Sequence, residues 1–292
     1  MVRVLPTACV LTLLAVSLAG CGEPEDTTPP VGNLQVTLSR PKVPLGSPVD
    51  VTYRFTVAPD APALGQRRVF AHFLDADDEL MWTDDHDPPT PTSEWKPGQT
   101  IEYTRSMFIP SYPYVGAAKI VAGVYSPANN ERLKLSNEDR GDRSYKVVDF
   151  ELLPQTENIF VIFKDGWHPA EVVSEGPGRA EWQWTKKEAT IAFRNPKRDV
   201  TLVVQVDNPA TNPNAAQNVA VTIGDQAIAT IPLSASPSGV LKYPITAAQL
   251  GTAEMVEIRL TADKTFVPAL EAAMKSGDPR ELGARFFHVF IQ

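Results

Sequence analysis

An alternation of period two, punctuated by proline, constrains this chain more than any other feature. Val49, Val51, Tyr53, Phe55 and Val57 alternate with polar residues, the pattern of a strand that buries one face. The same pattern predicts strands at 68–74, 100–109, 119–125 and 145–153. Turn-rich pieces such as Pro59-Asp60-Ala61-Pro62 and Lys96-Pro97-Gly98 separate them. The chain has 27 prolines in 292 residues, well above the usual share of about 5%. Each proline fixes φ and removes a backbone donor, so long helices are excluded. Short strands at this spacing predict an immunoglobulin-like β-sandwich over 33–153.

A second series of strands follows, at 159–163, 179–184, 189–193, 200–206, 218–223, 227–231, 240–245, 255–260 and 286–291. Eight or nine strands predict a jelly-roll-like sandwich over 158–292. The helical candidates are short, 247–250 and 269–275. The boundary falls at Pro154-Gln155-Thr156-Glu157, a connector so short that the two sandwiches should touch. The fold class is therefore all-β, with two consecutive β-sandwich domains.

Ahead of them, Arg3 gives a positive start and 10–18 an apolar run too short to span a bilayer. The run ends in Leu18-Ala19-Gly20-Cys21. This stretch resembles the bacterial lipoprotein signal. The resemblance implies a signal peptide at 1–20 and a lipidated Cys21, hence a lipid anchor to the membrane. Gly22, where inner-membrane proteins of this kind carry Asp, implies the outer membrane of a bacterial cell envelope. Residues 21–32 are acidic and Pro-rich and read as a tether, with a reach of about 35–40 Å. Cleavage would remove Cys9 and leave Cys21 as the one cysteine, so no internal disulfide is expected. The net charge of −8 argues against nucleic acid, which needs clustered Lys and Arg.

Few residues carry recognisable chemistry. No G-x-S-x-G elbow, H-E-x-x-H pair or cysteine nucleophile occurs, and no cofactor is expected. Asp75, Asp77, Asp78 and Glu79 half fit a calcium loop but lack its glycine and closing glutamate, so a hairpin turn is the preferred reading. Asp84, Asp85, His86 and Asp87 form a denser cluster. They are read either as a divalent-metal site or as an acidic loop closed by Pro88 and Pro89. Of the four histidines, His72 and His288 sit within strand patterns and suit structural hydrogen bonding. The aromatics are candidates for stacking on sugar rings. Trp167, after the Asp165-Gly166 turn, is expected to stand clear of the sheet. Trp95, Tyr112 and Tyr114 are further candidates. Trp182 and Trp184 share one face of a strand, which is expected to be core for at least one of them.

The pieces DGWHPAE (165–171), RAEWQW (179–184), KEATIAFRN (187–195) and DPRELGARFFHVFI (278–291) resemble a β-sandwich module of bacterial cell-surface polysaccharide proteins. That module is seen especially beside glycosyltransferases. The resemblance implies carbohydrate contact, while Asp278 and Arg280 read as an ion-paired turn and Leu282-Gly283 as a bend. The pieces VFAHFLDADDEL (69–80), DHDPPTPTSEWKPGQTIEY (85–103) and AKIVAGVYSPANNERL (118–133) resemble immunoglobulin-like domains of exported bacterial proteins. The expected function is a non-catalytic envelope lipoprotein that binds or scaffolds surface polysaccharide. The rivals are a glycan hydrolase with its site at Asp84–Asp87, and a module that binds an envelope protein.

Overall fold

The computed structural model describes residues 26–175, 178–209, 216–233 and 239–292, apart from the side chains of 174–175 and 178–180. The leader and Cys21 lie outside the described residues. Eight strands come first: β1 (Gly32–Leu38), β2 (Lys42–Pro44), β3 (Pro48–Val57), β4 (Arg68–Leu74), β5 (Leu80–Thr83), β6 (Thr100–Phe108), β7 (Gly116–Tyr125) and β8 (Tyr145–Leu153). They form a three-stranded sheet, β1-β3-β6, and a five-stranded sheet, β2-β8-β7-β4-β5. The parallel β2–β8 pair is the exception to antiparallel pairing here. The five alternating residues of β3 all point into the core, none more than 2% exposed. They meet Val69, Ala71 and Phe73 of β4 and Ile120, Ala122 and Val124 of β7.

Ten strands follow: β9 (Val161–Phe163), β10 (Glu171–Glu175), β11 (Gly178–Trp184), β12 (Glu188–Arg194), β13 (Val200–Asp207), β14 (Gln217–Ile223), β15 (Gln226–Leu233), β16 (Leu241–Ile245), β17 (Met255–Ala262) and β18 (Arg285–Ile291). They make two five-stranded sheets, β10-β11-β18-β13-β16 and β15-β14-β17-β12-β9. Their core joins Leu202, Val204 and Val206 to Ile191, Phe193, Val221 and Ile258. The fold is thus all-β, four sheets in two sandwich-like domains.

Between β8 and β9 the connector forms a single 3₁₀ turn, Gln155–Glu157. The Asn158 side-chain amide donates to the Leu45 carbonyl at 2.8 Å. Lys242 of β16 pairs with Asp50 of β3. Phe108 of β6 stacks on His288 of β18, with ring centroids 4.2 Å apart. These contacts join the two sandwiches across a small, mixed interface.

One helical expectation holds and one does not. Ala247–Leu250 is a helical turn, closed by a capping box between Thr246 and Gln249. The stretch 269–275 is not a helix. Pro268–Leu270 makes a 3₁₀ turn, and the Ala269 amide then donates to the Asp278 carbonyl instead of to its own turn. Among the described residues no helix is long and apolar enough to cross a membrane.

Candidate functional site

The aromatic residues singled out from the sequence are held by the fold more firmly than expected. Trp167 does not stand clear of the sheet. Gly166 has φ of +87° and a Cβ there would sit 1.9 Å from the Glu188 carbonyl, so the turn lies flat against β12. The Trp167 indole then donates to the Thr190 carbonyl at 3.0 Å. Its ring meets Phe286 and Phe163 edge-on, at 5.5 and 4.7 Å. Trp167 is half-buried against the second core. Trp95 is 5% exposed; it packs on Phe55 at 4.8 Å and donates to the Thr90 carbonyl. Tyr112 and Tyr114 lean on the first core, and the Tyr114 hydroxyl donates to the Ala117 carbonyl. The structure brings none of these four together.

The acidic cluster is a structural network and not a converging donor set. The Asp84 carboxylate accepts two bonds from Arg105, at 2.7 and 2.8 Å. His86 bonds the Asp84 carbonyl through Nδ1 and the Tyr103 hydroxyl through Nε2. Burial pushes the His86 imidazole below its ordinary pKa, consistent with a neutral ring that donates to the carbonyl and accepts from the phenol. Asp85 turns to the Ala71 amide and to His72, and Asp87 to Arg68. A metal here would have to displace Arg105 from Asp84. Among the described residues no group of three or more His, Cys, Asp or Glu side chains is placed to hold a metal ion. The turn at Asp75–Glu79 joins β4 to β5, with Asp75 accepting from the amides of Asp77 and Glu79. Asp85 also faces a concavity with Phe70 and Arg132, but the Arg132 guanidinium lies 4.6 Å above the Phe70 ring and covers it.

A cleft walled by several aromatic residues lies elsewhere, where β11 parts from β18. These strands pair through only two positions, Gln183 with Phe286 and Trp184 with Arg285. Hydrogen bonds between Thr185 and Ala284 continue the contact on one side, while toward Trp182 and Phe287 the pairing stops. On its other side β18 pairs with β13, and its register there slips between Gln205 and Val206, leaving Phe287 without a partner. The bulge breaks the alternation of β18. Phe286, Val289 and Ile291 turn to the core, whereas Phe287, His288 and Phe290 stay outside it. A bulge adds local twist and re-aims side chains, and here it opens a cleft of about 440 Å³. Phe163, Trp182, Phe286 and Phe287 give it aromatic walls, and Glu181, Gln183 and His288 give it polar groups.

A second layer of contacts positions those walls. Arg285 forms a two-pronged pair with Asp207, at 2.8 and 2.6 Å, and Asp207 is fully buried. The same guanidinium lies over the rings of Trp182 and Phe287, 5.2 Å from each centroid. Trp182 donates to Glu171 at 3.2 Å. Glu171 is bridged by Arg280, which is also clamped to Asp278, as the ion-paired turn predicts. Those bonds push the Arg280 guanidinium further above its already high pKa. Trp184, 7% exposed, packs with Phe266 and Leu282 in a small core of its own. That core lies on the outer face of the sheet, because Trp184, Arg285 and Asp207 are successive cross-strand partners. Trp182 sits at its margin, half-covered, with the rest of its surface in the cleft. The sequence leaves Trp182 open between core and stacking, and nothing in it singles out Phe287. The signal that a single strand face could be half core and half site lies in the segment that folds over Trp184.

No family model matches the chain, and no curated protein matches it. Among solved structures, the tandem N-terminal CBM22-1-CBM22-2 domains of Paenibacillus barcinonensis Xyn10C align over 89% of this chain and 91% of that one. The identity is 8% and the TM-score 0.25. The Pseudomonas fluorescens alkylpurine DNA glycosylase AlkC, bound to DNA, aligns over 42% of this chain at 15% identity and a TM-score of 0.25. The match spans 30% of that glycosylase. At these scores any functional reading rests on the cleft itself.

Proposed function

We propose that this protein is a non-catalytic binding module of the bacterial cell envelope, and that it holds surface polysaccharide in the cleft between β11 and β18. One observation carries the reading: Trp182, Phe287 and Phe163 surround Glu181, Gln183 and His288 in a single concave site. Sugar rings present C–H faces and hydroxyl edges. Aromatic walls match the faces, and a carboxylate, an amide and an imidazole match the hydroxyls. Apolar walls with a few placed polar groups are the general form of a small-ligand site. The hydrolase reading asks for two carboxylates flanking the scissile bond, about 5–9.5 Å apart. Among the described residues lining the cleft, Glu181 is the only carboxylate. The Asp84–Asp87 alternative loses support because those carboxylates are committed to Arg105, His72 and Arg68.

The envelope location belongs to the same proposal and rests on Leu18-Ala19-Gly20-Cys21. Lipidation of Cys21 anchors the chain in the outer membrane; the expected tether is shorter than 21–32, because Asp26 pairs with Arg143, Val31 is buried in the first core and Gly32 opens β1. Cys21→Ala should release the protein from the membrane fraction, and retention of the variant there contradicts the anchor. Binding is tested by probing a glycan array with the purified protein and with Trp182→Ala. The expected result is a defined set of bound glycans whose signal falls at least about tenfold in the variant, equivalent to about 1.4 kcal/mol. An unchanged pattern in Trp182→Ala removes the cleft from the account. A protein that binds no glycan but retains an envelope protein through Phe163 and its neighbours supports the interaction module instead.

A further inference from the structure

The cleft does not end at Val289. A second concavity, of about 450 Å³, runs between the two sandwiches, and Phe163, His288 and Val289 line both. Building on the reading of the cleft as a sugar site, we propose that the two form one trough, whose ligand is an uncharged glycan chain long enough to cross from the second sandwich onto the first.

Three observations support it. The first is adjacency. Phe163, His288 and Val289 line both concavities, so the two lie side by side along one wall, and the far half repeats the chemistry of the near one. Phe160 and Phe108 supply rings there, and Gln155 and Thr156 supply polar groups. Phe160 is 79% exposed, and Ile162 and Phe163 beside it are 42% and 40% exposed. So much apolar surface beside a polar-rimmed groove marks a place that another molecule covers.

The second is fixed geometry. The far half lies where the two sandwiches meet, with Phe108 and Gly46 of the first facing residues of the second, and that junction is pinned at three points: Phe108 on His288, Asp50 with Lys242, and the Asn158 side chain to the Leu45 carbonyl. Burial alone would raise the Asp50 carboxyl, but bonds from Lys242 and Ser106 hold it below its ordinary pKa. The junction is therefore charged and engaged at neutral pH. A ligand that bridges it meets two preset halves and gains from both at once.

The third is charge. Among the described residues lining either half, no Lys or Arg occurs and Glu181 is the one carboxylate. Desolvation beside Phe108 lowers the His288 pKa, although the residue stays exposed at the cleft. Arg285, stacked against the walls, is neutralised by Asp207. A uronate or sulfated chain would bring anions to a wall in which no described Lys or Arg stands to receive them, on a protein of net charge −8. An uncharged chain meets no such barrier.

The test is calorimetric titration of the purified protein with cello-, manno- and galacto-oligosaccharides of two and six residues, and with oligogalacturonates of the same lengths. The Phe160→Ala and Trp182→Ala variants are titrated in parallel. The best neutral hexamer should bind at least about tenfold more tightly than its dimer. Phe160→Ala should erase that gain, leaving dimer affinity and thermal midpoint unchanged. Oligogalacturonate should not bind. Equal affinities for a dimer and hexamer that both depend on Trp182 overturn the trough and leave the cleft reading standing. A hexamer gain that survives Phe160→Ala overturns the junction half. Preferred binding of oligogalacturonate overturns the charge argument. Silence from every hexamer overturns the trough and the cleft reading together.

Discussion

Trp167, Trp182 and Trp184 lie within eighteen positions of one another and meet three different fates. Trp184 is core, Trp167 is a bracket between a turn and a strand, and Trp182 is a wall of the cleft. Truncation should separate them. Trp184→Ala empties a small sealed core and should cost about 3–5 kcal/mol. Trp167→Ala loses the bond to Thr190 and two edge-on ring contacts, so it should also destabilise, by about 3 kcal/mol. Trp182→Ala should cost clearly less stability than either and should be the one that weakens glycan binding. Urea melts and titrations on the three variants check this ordering, and it fails if Trp167→Ala is silent in the melt. Beside Trp167, Gly166→Ala would place a Cβ into the Glu188 carbonyl at a left-handed φ. It should destabilise by more than about 1 kcal/mol.

The pair Asp207–Arg285 acts at the scale of elements, because it ties β13 to the bulged end of β18. Asp207 is fully buried, so Arg285→Ala would leave an unpaired charge in the interior and should cost about 3–5 kcal/mol. Replacing both residues by apolar ones of similar size, as in Asp207→Leu with Arg285→Met, should recover much of that loss. Chemical denaturation of the single and double variants measures the difference. A double variant as unstable as Arg285→Ala contradicts the clamp. Elements that carry their own alternation were legible in the sequence. The 68–74 strand is β4, and β3 begins one residue ahead of the expected start. The strand β2 was not legible, because three residues are too few to show a period. Nor was the β18 bulge, because a run such as Phe286-Phe287-His288 does not announce which residue will lose its partner. The cleft depends on both the bulge and the placement of β11 beside β18, two strands far apart in the chain. Residue types alone pointed to Trp167 instead.

For the whole molecule, three of the four histidines are linked to stability in the same direction. Desolvation is the largest influence on His72, His86 and His288, and it places each below the ordinary value of 6.5. The folded state then binds fewer protons than the unfolded state around that pH, so stability rises with pH. Their contribution is complete above 6.5 and declines as pH falls below it. Asp50, Asp78, Asp263 and Asp278 are held below 3.8. Their contribution is present above that value and is lost only in stronger acid. Denaturation midpoints should therefore be higher at pH 7.5 than at pH 5.5, and an equal or higher midpoint at pH 5.5 contradicts the assignment.

As a binding module, the molecule receives a sugar in the opening between β11 and β18. A crystal structure grown with the oligosaccharide that binds most tightly tests it directly. The expected result is a sugar ring seated against Trp182 and Phe287 at contact distances of about 4 Å, with hydroxyls within hydrogen-bond reach of Glu181 or Gln183. A ligand seated elsewhere, over Phe70 and Arg132 for instance, with the cleft left empty, would contradict it.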